Sequence, residues 1–390
     1  MCGNITTRVK FMTNDEKFKL ITRNLEEVLT EEELKQLIES GTPLKHYIGF
    51  EISGKVHLGT GLATLLKVKD LHDAGAETVI WLADWHGWIN NKLDGTLETA
   101  KKMAREYFAE AMKAAYLCIG GDPDTLIFKQ GSELYTQRSE FWATMIEVAK
   151  ATTISRMIRS TTIMGRMAGD SSPSANLIYP AMQAADIFAL GVNIAHAGTD
   201  QRNVHVVARD SAKEVGYPKP IAIHHHLLQG LLRPDIQKAD KEAIKIALKM
   251  SKSKPDSAVF IHDSPDEIKR KVNNAFCPEG EVEFNPILDW TKYLIFYNRS
   301  GSSSTKVAPE PRLHLNQGVT LTIKRDPKWG GNLEYADYTD LEKDYVDKKL
   351  HPQDLKNAVS EWLIKKLEPA RIYFEDPKRK KALEEISALT

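Results

Sequence analysis

YIGFEISGKVHLGTGLATLL, residues 47–66, carries the signals of a strand, a turn and a helix in succession. The apolar run that begins at Tyr47 predicts a buried strand, which Ser53-Gly54 would end. Leucines at 62, 65 and 66 then repeat at the spacing of one helix face. A helix that begins near Gly59 presents unpaired backbone N–H groups and the positive end of its dipole. The stretch therefore predicts a strand–turn–helix unit that can seat a phosphate-bearing ligand.

Strand and helix signals continue to alternate beyond this unit. Strands are predicted at 78–83, 125–129, 193–197 and 219–224, and a helix is predicted at 96–117. This alternation is typical of an α/β protein whose parallel strands are joined by crossover helices. Ligands of such sheets bind beyond the carboxyl ends of the strands. Four polar side chains fall at those ends: Glu51, His57, Asp84 and His86.

The composition is that of an ordinary globular protein. The 390 residues include 53 Lys and Arg and 53 Asp and Glu, so a formal net charge of zero gives no overall field for nucleic acid. Any RNA contact must then depend on local basic patches. The three cysteines are scattered and indicate neither a disulfide framework nor a zinc site. Without a membrane-length apolar run or a signal-peptide pattern, we expect a cytoplasmic protein.

A second distinctive stretch is Lys249-Met250-Ser251-Lys252-Ser253. Its ammonium and hydroxyl groups can donate to a polyphosphate without the glycines of a Walker loop. A solvated lysine patch is the alternative interpretation of this segment alone. His57 has a similar alternative, because a histidine at a helix start is often a cap or a surface group. The presence of both segments in one chain favours a nucleotide site that combines them.

Tyr179, Gln183 and Asp186 are spaced i, i+4 and i+7 and so share one face of a predicted helix. The alanines beside them leave room for a ligand. A buried carboxylate is costly unless it is hydrogen-bonded. A donor from a ligand would satisfy Asp186, and so would an internal polar network. The sequence of this helix leaves both possibilities open.

Two further segments give weaker signals. Residues 147–166 are predicted to be a basic helical stretch, which is either a solvated face or an RNA-backbone contact. The adjacent histidines at 224–226 suggest a metal site. Neighbouring residues on a strand point to opposite faces, however, and cannot bind one ion together. We therefore predict no protein-bound metal.

Helical signals resume after the lysine segment. Ser264-Pro265 is a strong helix start, and Leu350–Asn357 opens another helix. Residues 299–311 between them are predicted to be a flexible insertion. These signals divide the chain into a catalytic domain at 1–260 and a smaller, mainly helical domain at 261–390.

The motifs resemble those of tyrosyl-tRNA synthetases of the archaeal and eukaryotic type. The turn at His57 and the lysine segment resemble the HIGH and KMSKS signatures of class I aminoacyl-tRNA synthetases. The resemblance implies a Rossmann-like catalytic domain, an anticodon-binding C-terminal domain and a homodimer. It also implies L-tyrosine, Mg²⁺-bound ATP and tRNA(Tyr) as substrates. Matching segments include Tyr47–Glu51, Leu82–Asp84, Tyr179-Pro180, Leu190–Val192, Gln201-Arg202 and Leu350–Pro352.

The resemblance assigns roles to individual residues. Tyr47 and Asp186 would bind the substrate phenol, with Glu51 near the ammonium group. The ammonium group itself would contact Tyr179, Gln183 and Gln201, and the pocket would be lined by Trp81 and His86. The ATP contacts would be His57, Gly59, Thr60, Lys249, Ser251 and Lys252, of which His57, Lys249 and Lys252 would be catalytic. The tRNA contacts would be Arg159 and Arg202 near the acceptor end, and His351 and Asp354 at the first anticodon base.

Two residues depart from the family pattern. Thr60 replaces the second histidine of the HIGH signature, so one phosphate contact becomes a hydroxyl or disappears. Ile52 replaces the usual proline between Glu51 and Ser53, which changes the stiffness of that turn.

Three other functions remain open on the sequence. Tryptophanyl-tRNA synthetases share the expected fold, and an indole N–H could also donate to Asp186. A catalytically silent paralogue that binds RNA is a second possibility, which the intact lysine segment disfavours. A small nucleotidyltransferase is the third, but it would leave the C-terminal helical region without a role. Tyr47 together with Gln183 and Asp186 favours tyrosine.

Overall fold

The computed structural model describes residues 12–164, 173–233, 250, 254–299 and 320–389. Six strands form one sheet in the order β1-β6-β5-β2-β3-β4, and two more form a separate hairpin. All neighbours in the large sheet are parallel except β1, which pairs antiparallel with β6. The strands are β1 (Leu25–Leu29), β2 (Lys45–Glu51), β3 (Glu77–Ala83), β4 (Ile127–Gln130), β5 (Ile194–Gly198), β6 (Ile221–His225), β7 (Leu321–Ile323) and β8 (Leu333–Tyr335).

Helices cover both faces of the sheet and form most of the C-terminal region. In the N-terminal part they are α1 (Asn14–Thr22), α2 (Glu31–Glu39), α3 (Thr64–Asp73), α4 (Asp84–Ile89), α5 (Leu97–Met103), α6 (Ala109–Cys118), α7 (Gly131–Gln137), α8 (Glu140–Lys150), α9 (Ile154–Ser160), α10 (Tyr179–Leu190) and α11 (Arg202–Ser211). After residue 260 they are α12 (Pro265–Asn273), α13 (Pro286–Trp290), α14 (Tyr338–Val346), α15 (Pro352–Lys366), α16 (Glu368–Tyr373) and α17 (Pro377–Ala388). Turns of π-helix lie at Gly59–Ala63, Ala104–Phe108 and Thr291–Ile295.

The α/β fold predicted from the sequence is therefore confirmed. Ser264 caps α12 through its side chain, with Pro265 in the first turn, as predicted. The described part of the basic stretch predicted at 147–166 is helical but interrupted, because α8 ends before Ala151 and α9 starts after a cap at Thr153. The insertion at 299–311 lies almost wholly outside the described residues. The division at residue 260 remains a prediction, and one apolar cluster contains side chains from both sides of it.

The alternation of side chains along β2 decides which residues face the site. Ile48 and Phe50 point into an apolar cluster shared with α6 and the C-terminal helices. Tyr47 points to the opposite face, where it joins Trp81 of β3 and the side chains of α10. Because the period of a strand is two, Gly49 and Glu51 lie on the same face as Tyr47.

The three adjacent histidines of the sequence have different surroundings. His224 contacts His205 of α11 at 3.0 Å, whereas His225 contacts His196 of β5 at 2.8 Å. His226 lies beyond the end of β6, between Asp289 and Glu26. Strand alternation thus separates the rings, as the sequence predicts.

His226 ties β6 to two acidic groups from distant parts of the chain. Its Nε2 lies 2.7 Å from Asp289 and its Nδ1 lies 3.0 Å from Glu26. Burial alone would lower the pKa of His226, but Asp289 and Glu26 raise that pKa to about 9. The imidazolium therefore stabilises the fold fully below its ordinary pKa near 6.5, and this contribution is lost as the pH rises through about 9.

We expect His226→Gln to lower the free energy of unfolding more at pH 6 than at pH 9.5. Urea unfolding of both proteins across this pH range measures the difference. His72, an exposed histidine on α3, supplies the control His72→Gln, which should change the free energy of unfolding little, because an exposed side chain makes few contacts. A His226→Gln effect that stays constant over the range would contradict the assignment.

No helix within the described part of the chain is long and apolar enough to cross a membrane.

Candidate active site

One end of the site is a polar centre beneath β2 and β3. Asp186 on α10 is 1% exposed, and both of its carboxylate oxygens accept hydrogen bonds from protein donors. The hydroxyl of Tyr135 donates to Oδ1 over 2.7 Å, and the indole N–H of Trp81 donates to Oδ2 over 3.0 Å. The internal network that the sequence left open is therefore present. It does not exclude a ligand, because a carboxylate can accept about four hydrogen bonds.

Gly49 leaves space between the aromatic groups of this centre. A Cβ at this position would lie 3.3 Å from Cδ1 of Trp81 and 3.5 Å from Cε2 of Tyr47. The pairing of β2 with β3 sets Gly49 directly beside Trp81. Any larger residue would therefore fill the gap between the two rings.

Burial controls the protonation of these groups. Desolvation raises the pKa of Asp186 well above its usual value, and nearby Asp84 adds to this, while the bonds from Tyr135 and Trp81 oppose it. Desolvation also raises the pKa of Tyr47, and the Asp186 charge raises it further. The Tyr47 hydroxyl therefore stays protonated at neutral pH and lies within the field of Asp186.

His86 is a fully buried imidazole at the edge of this centre. Its Nε2 lies 3.7 Å from Oδ2 of Asp186, too far for a hydrogen bond, and its ring packs edge-on against Tyr179. Burial lowers the pKa of His86 to about 3, so the ring is neutral. Neither ring nitrogen has a hydrogen-bond partner among the described residues.

A second group of polar side chains collects at the carboxyl end of β2. Glu51 accepts a hydrogen bond from Asn90 over 2.7 Å and one from the Tyr179 hydroxyl over 3.4 Å. Beside them, Gln183 donates to Gln201 over 3.3 Å. The site thus has acceptors at one end for a hydroxyl and at the other end for a cation.

The turn at His57, where the sequence predicts a nucleotide site, is hydrogen-bonded to the chain that follows the lysine segment. Residue 57 pairs with Phe260 in an isolated antiparallel bridge, and the N–H of Leu58 donates to Val259 over 3.0 Å. Met250, from the middle of the lysine segment, is buried, and its sulfur would lie 3.7 Å from a Cβ on Gly59. The two motifs therefore meet in space. Lys249, Ser251 and Lys252 themselves lie outside the described residues.

Thr60 interacts with the histidine that precedes it. Its backbone N–H donates to Nδ1 of His57 over 3.3 Å, and its hydroxyl lies 3.3 Å from Nε2 of the same ring. Thr60, which replaces the second histidine of the HIGH signature, thus contacts His57, the first histidine of that signature. Thr60 belongs to the π-helical turn at Gly59–Ala63, which leads into α3, and His57 precedes that turn.

The residues predicted to contact tRNA lie on or beside helices from both parts of the chain. Arg159 on α9 is exposed, and Arg202 at the start of α11 is held by Glu27 over 2.8 Å. His351 caps α15 by accepting from the N–H of Gln353 over 3.1 Å. Asp354 lines a cavity of about 200 Å³ together with Lys269, Asn273, Thr322 and Lys324.

Sequence reasoning missed several residues that complete the site. Tyr135 comes from α7, and Asn90 follows α4; both reach the site only through the folding of the chain. Asp84, which the sequence placed at the end of a strand, has a structural role, because its carboxylate accepts hydrogen bonds from Trp85, Gln130 and Ser132. One sequence signal could have pointed to Asn90. Asp84 was predicted at the end of a strand, and the segment that follows it, which includes Asn90, therefore lies near the site.

Comparison with known proteins identifies the family to which this architecture belongs. Residues 39–368 match the family described as tRNA synthetases class I (W and Y). The chain belongs to this family. A tyrosine–tRNA ligase of Thermococcus kodakarensis is 49% identical over 378 residues, which cover 93% of this chain and 96% of that protein. The family resemblance seen in the sequence and the predicted enzyme class, aminoacyl-tRNA synthetase, are thereby confirmed.

Solved structures of the family agree with the fold. The crystal structure of tyrosyl-tRNA synthetase complexed with L-tyrosine from Pyrococcus horikoshii matches with a TM-score of 0.86 and 46% identity, covering 97% of this chain and all of that one (100%). A tryptophanyl-tRNA synthetase from Aeropyrum pernix matches with a TM-score of 0.62 and 18% identity, covering 92% of this chain and 84% of that one. The tryptophanyl structure thus shares the fold, whereas the tyrosyl enzymes are much nearer in sequence.

Proposed function

We propose that this aminoacyl-tRNA synthetase activates L-tyrosine with ATP and transfers it to the 3′ end of tRNA(Tyr). The observation that carries the proposal is the buried carboxylate of Asp186, which lies on the face of the sheet to which Tyr47 points. These groups form an acceptor centre at one end of the site, and Glu51 with Tyr179 forms an acidic centre at the other. A zwitterionic amino acid with a para-hydroxyl has polar groups at both of those ends.

Tyrosine is preferred to tryptophan for two reasons. Relatives named tyrosine–tRNA ligases cover almost the whole chain at 43–49% identity. In addition, Gly49 leaves only a narrow gap between the rings of Trp81 and Tyr47, and an indole is a larger ring system than a phenol. A phenol needs only the narrow gap above Gly49.

The first step joins the amino acid to AMP. A carboxylate oxygen of tyrosine attacks the α-phosphorus of ATP, and the bond from that phosphorus to the bridging oxygen of pyrophosphate breaks. Positioning and charge stabilisation are sufficient, because pyrophosphate is a good leaving group. We assign the stabilisation of pyrophosphate to His57, Lys249 and Lys252. Mg²⁺ would enter with the ATP phosphates, as part of that substrate.

The second step moves the tyrosyl group to RNA. The 2′-hydroxyl of the terminal ribose attacks the carbonyl carbon of the adenylate, and AMP leaves. Arg159 and Arg202 are assigned to the acceptor end, and His351 and Asp354 to the first anticodon base. The cavity beside Asp354 supports that assignment because lysine and asparagine side chains line it as well.

We further propose that the protein acts as a cytoplasmic homodimer. Apolar side chains are exposed on the neighbouring elements α8, α9 and the segment before α10, and a second copy would cover them. They include Ile146 at 53%, Ile154 at 76% and Ile178 at 45% exposure. The thiols of Cys118 and Cys277 are not in disulfides, which suits a reducing compartment.

Charging of RNA tests the proposed function. We expect the protein to attach tyrosine to a tRNA with a tyrosine anticodon, and to attach neither tryptophan nor phenylalanine to it. Asp354→Ala should reduce charging while leaving tyrosine-dependent pyrophosphate exchange unchanged, since Asp354 lies on α15 and none of its cavity neighbours is assigned to tyrosine or ATP. Efficient charging of a tryptophan tRNA with tryptophan would contradict the proposal.

A further inference from the structure

Tyr135 makes the shorter of the two hydrogen bonds that Asp186 accepts from described residues. Its hydroxyl oxygen lies 2.7 Å from Oδ1 of Asp186. The side chain is 4% exposed, so the bond is shielded from water. Burial and the Asp186 charge both raise the pKa of Tyr135 well above 10, which keeps the hydroxyl a donor.

The ring of Tyr135 is fixed by packing on several sides. It stacks on Phe141 with centroids 4.2 Å apart and meets Trp85 edge-on at 5.6 Å. Trp142 lies 5.7 Å away, and Trp81 meets the ring edge-on at 6.0 Å. An aromatic ring held in this way has little freedom to move its hydroxyl. The carboxylate that it binds is therefore held in one orientation.

The hydrogen-bonding capacity of Asp186 leaves a place for the substrate. Tyr135 occupies one lone pair of Oδ1, and Trp81 occupies one lone pair of Oδ2. About two lone pairs remain. Their direction depends on the two protein donors, because rotation of the carboxylate would break both bonds.

We propose that Tyr135 is a specificity-determining residue, which orients Asp186 to accept the substrate phenol and so favours tyrosine over phenylalanine. This inference rests on the proposed function. Tyr135 acts through Asp186 and is a positioning residue, not a catalytic one. Phenylalanine makes no hydrogen bond to Asp186, so it gains nothing from that orientation.

The test is pyrophosphate exchange by Tyr135→Phe with tyrosine and with phenylalanine. This change removes one hydroxyl and keeps the packed ring. We expect kcat/KM for tyrosine to fall roughly tenfold, through a higher KM, as is usual for the loss of a hydrogen bond to a buried charge. The value for phenylalanine should stay the same, so the ratio of the two falls by the same factor. The KM for ATP should not change.

Tyr373→Phe is the matched control. Its hydroxyl also donates to a carboxylate over 2.7 Å, in this case that of Glu110. Tyr373 lies at the end of α16 and has no assigned role in the site. This variant should leave both kinetic constants and their ratio unchanged. A second comparison places Tyr135→Phe in an Asp186→Asn background, where the added change should have little effect on the ratio.

The possible outcomes separate the inference from the function on which it rests. Failure of the wild-type protein to exchange with tyrosine would overturn both. Tyrosine exchange by the wild type with an unchanged ratio in Tyr135→Phe would overturn the inference alone. Equal losses for tyrosine and phenylalanine would assign Tyr135 to packing and would overturn the inference too.

Discussion

Asp186→Ala is expected to lower kcat/KM for tyrosine by roughly a hundredfold and to relax discrimination against phenylalanine. The change removes the acceptor for the substrate phenol, and hydrogen bonds to buried charges contribute about 1.5–3 kcal/mol each. It also leaves the Tyr135 hydroxyl and the Trp81 N–H without their acceptor. Pyrophosphate exchange with both amino acids measures the effect.

A buried carboxylate outside the phenol contact provides the control. Asp70 is 1% exposed and pairs with the ammonium group of Lys67 at 2.9 Å. Asp70→Asn should lower the free energy of unfolding, yet it should preserve the ratio of kcat/KM for tyrosine to that for phenylalanine. If Asp186→Ala left that ratio unchanged, the assignment of the phenol contact would be wrong.

Lys252→Ala is expected to slow formation of tyrosyl-adenylate by roughly a hundred- to a thousandfold, as removal of a group that stabilises transition-state charge commonly does. Tyrosine affinity should change little, because the role proposed for Lys252 is toward the phosphates of ATP and not toward the amino acid. The packing of Met250 near Gly59 supports a role for the lysine segment at the nucleotide site. Single-turnover adenylate formation and equilibrium tyrosine binding measure the two quantities separately.

Lys254→Ala serves as the matched control for Lys252→Ala. Lys254 carries the same charge two residues later and is exposed. Its replacement should affect neither adenylate formation nor tyrosine binding. Equal losses of rate and of tyrosine affinity in Lys252→Ala would count against a role in ATP activation.

Much of the fold could be predicted because apolar runs and turn residues alternate along the chain. The strand at β2 and the helix after it follow from local sequence, as does the cap at Ser264. Local sequence did not predict β1, because its two glutamates at 26 and 27 interrupt the apolar pattern of a strand. The partner of this strand is β6, almost 200 residues away in sequence. The helix break at Ala151–Thr153 was missed as well, because basic residues lie on both sides of it.

Helix periodicity predicted only those members of the candidate site that lie on one element, whereas Glu51 and His86 were predicted from their positions at the ends of strands. The i, i+4, i+7 spacing predicted that Tyr179, Gln183 and Asp186 share one face of α10. The donors of Asp186 could not be derived in this way, since Trp81 and Tyr135 come from other elements, 105 and 51 residues away in sequence. Tertiary contacts thus supply what periodicity cannot.

The most direct test of the central claim is ATP–pyrophosphate exchange by the wild-type protein, with tyrosine, tryptophan and phenylalanine supplied separately. Rapid exchange with tyrosine and only background exchange with the other two is the predicted result. Exchange that depends on tryptophan, or no exchange with any of the three, would contradict a pocket in which Asp186 selects a phenol.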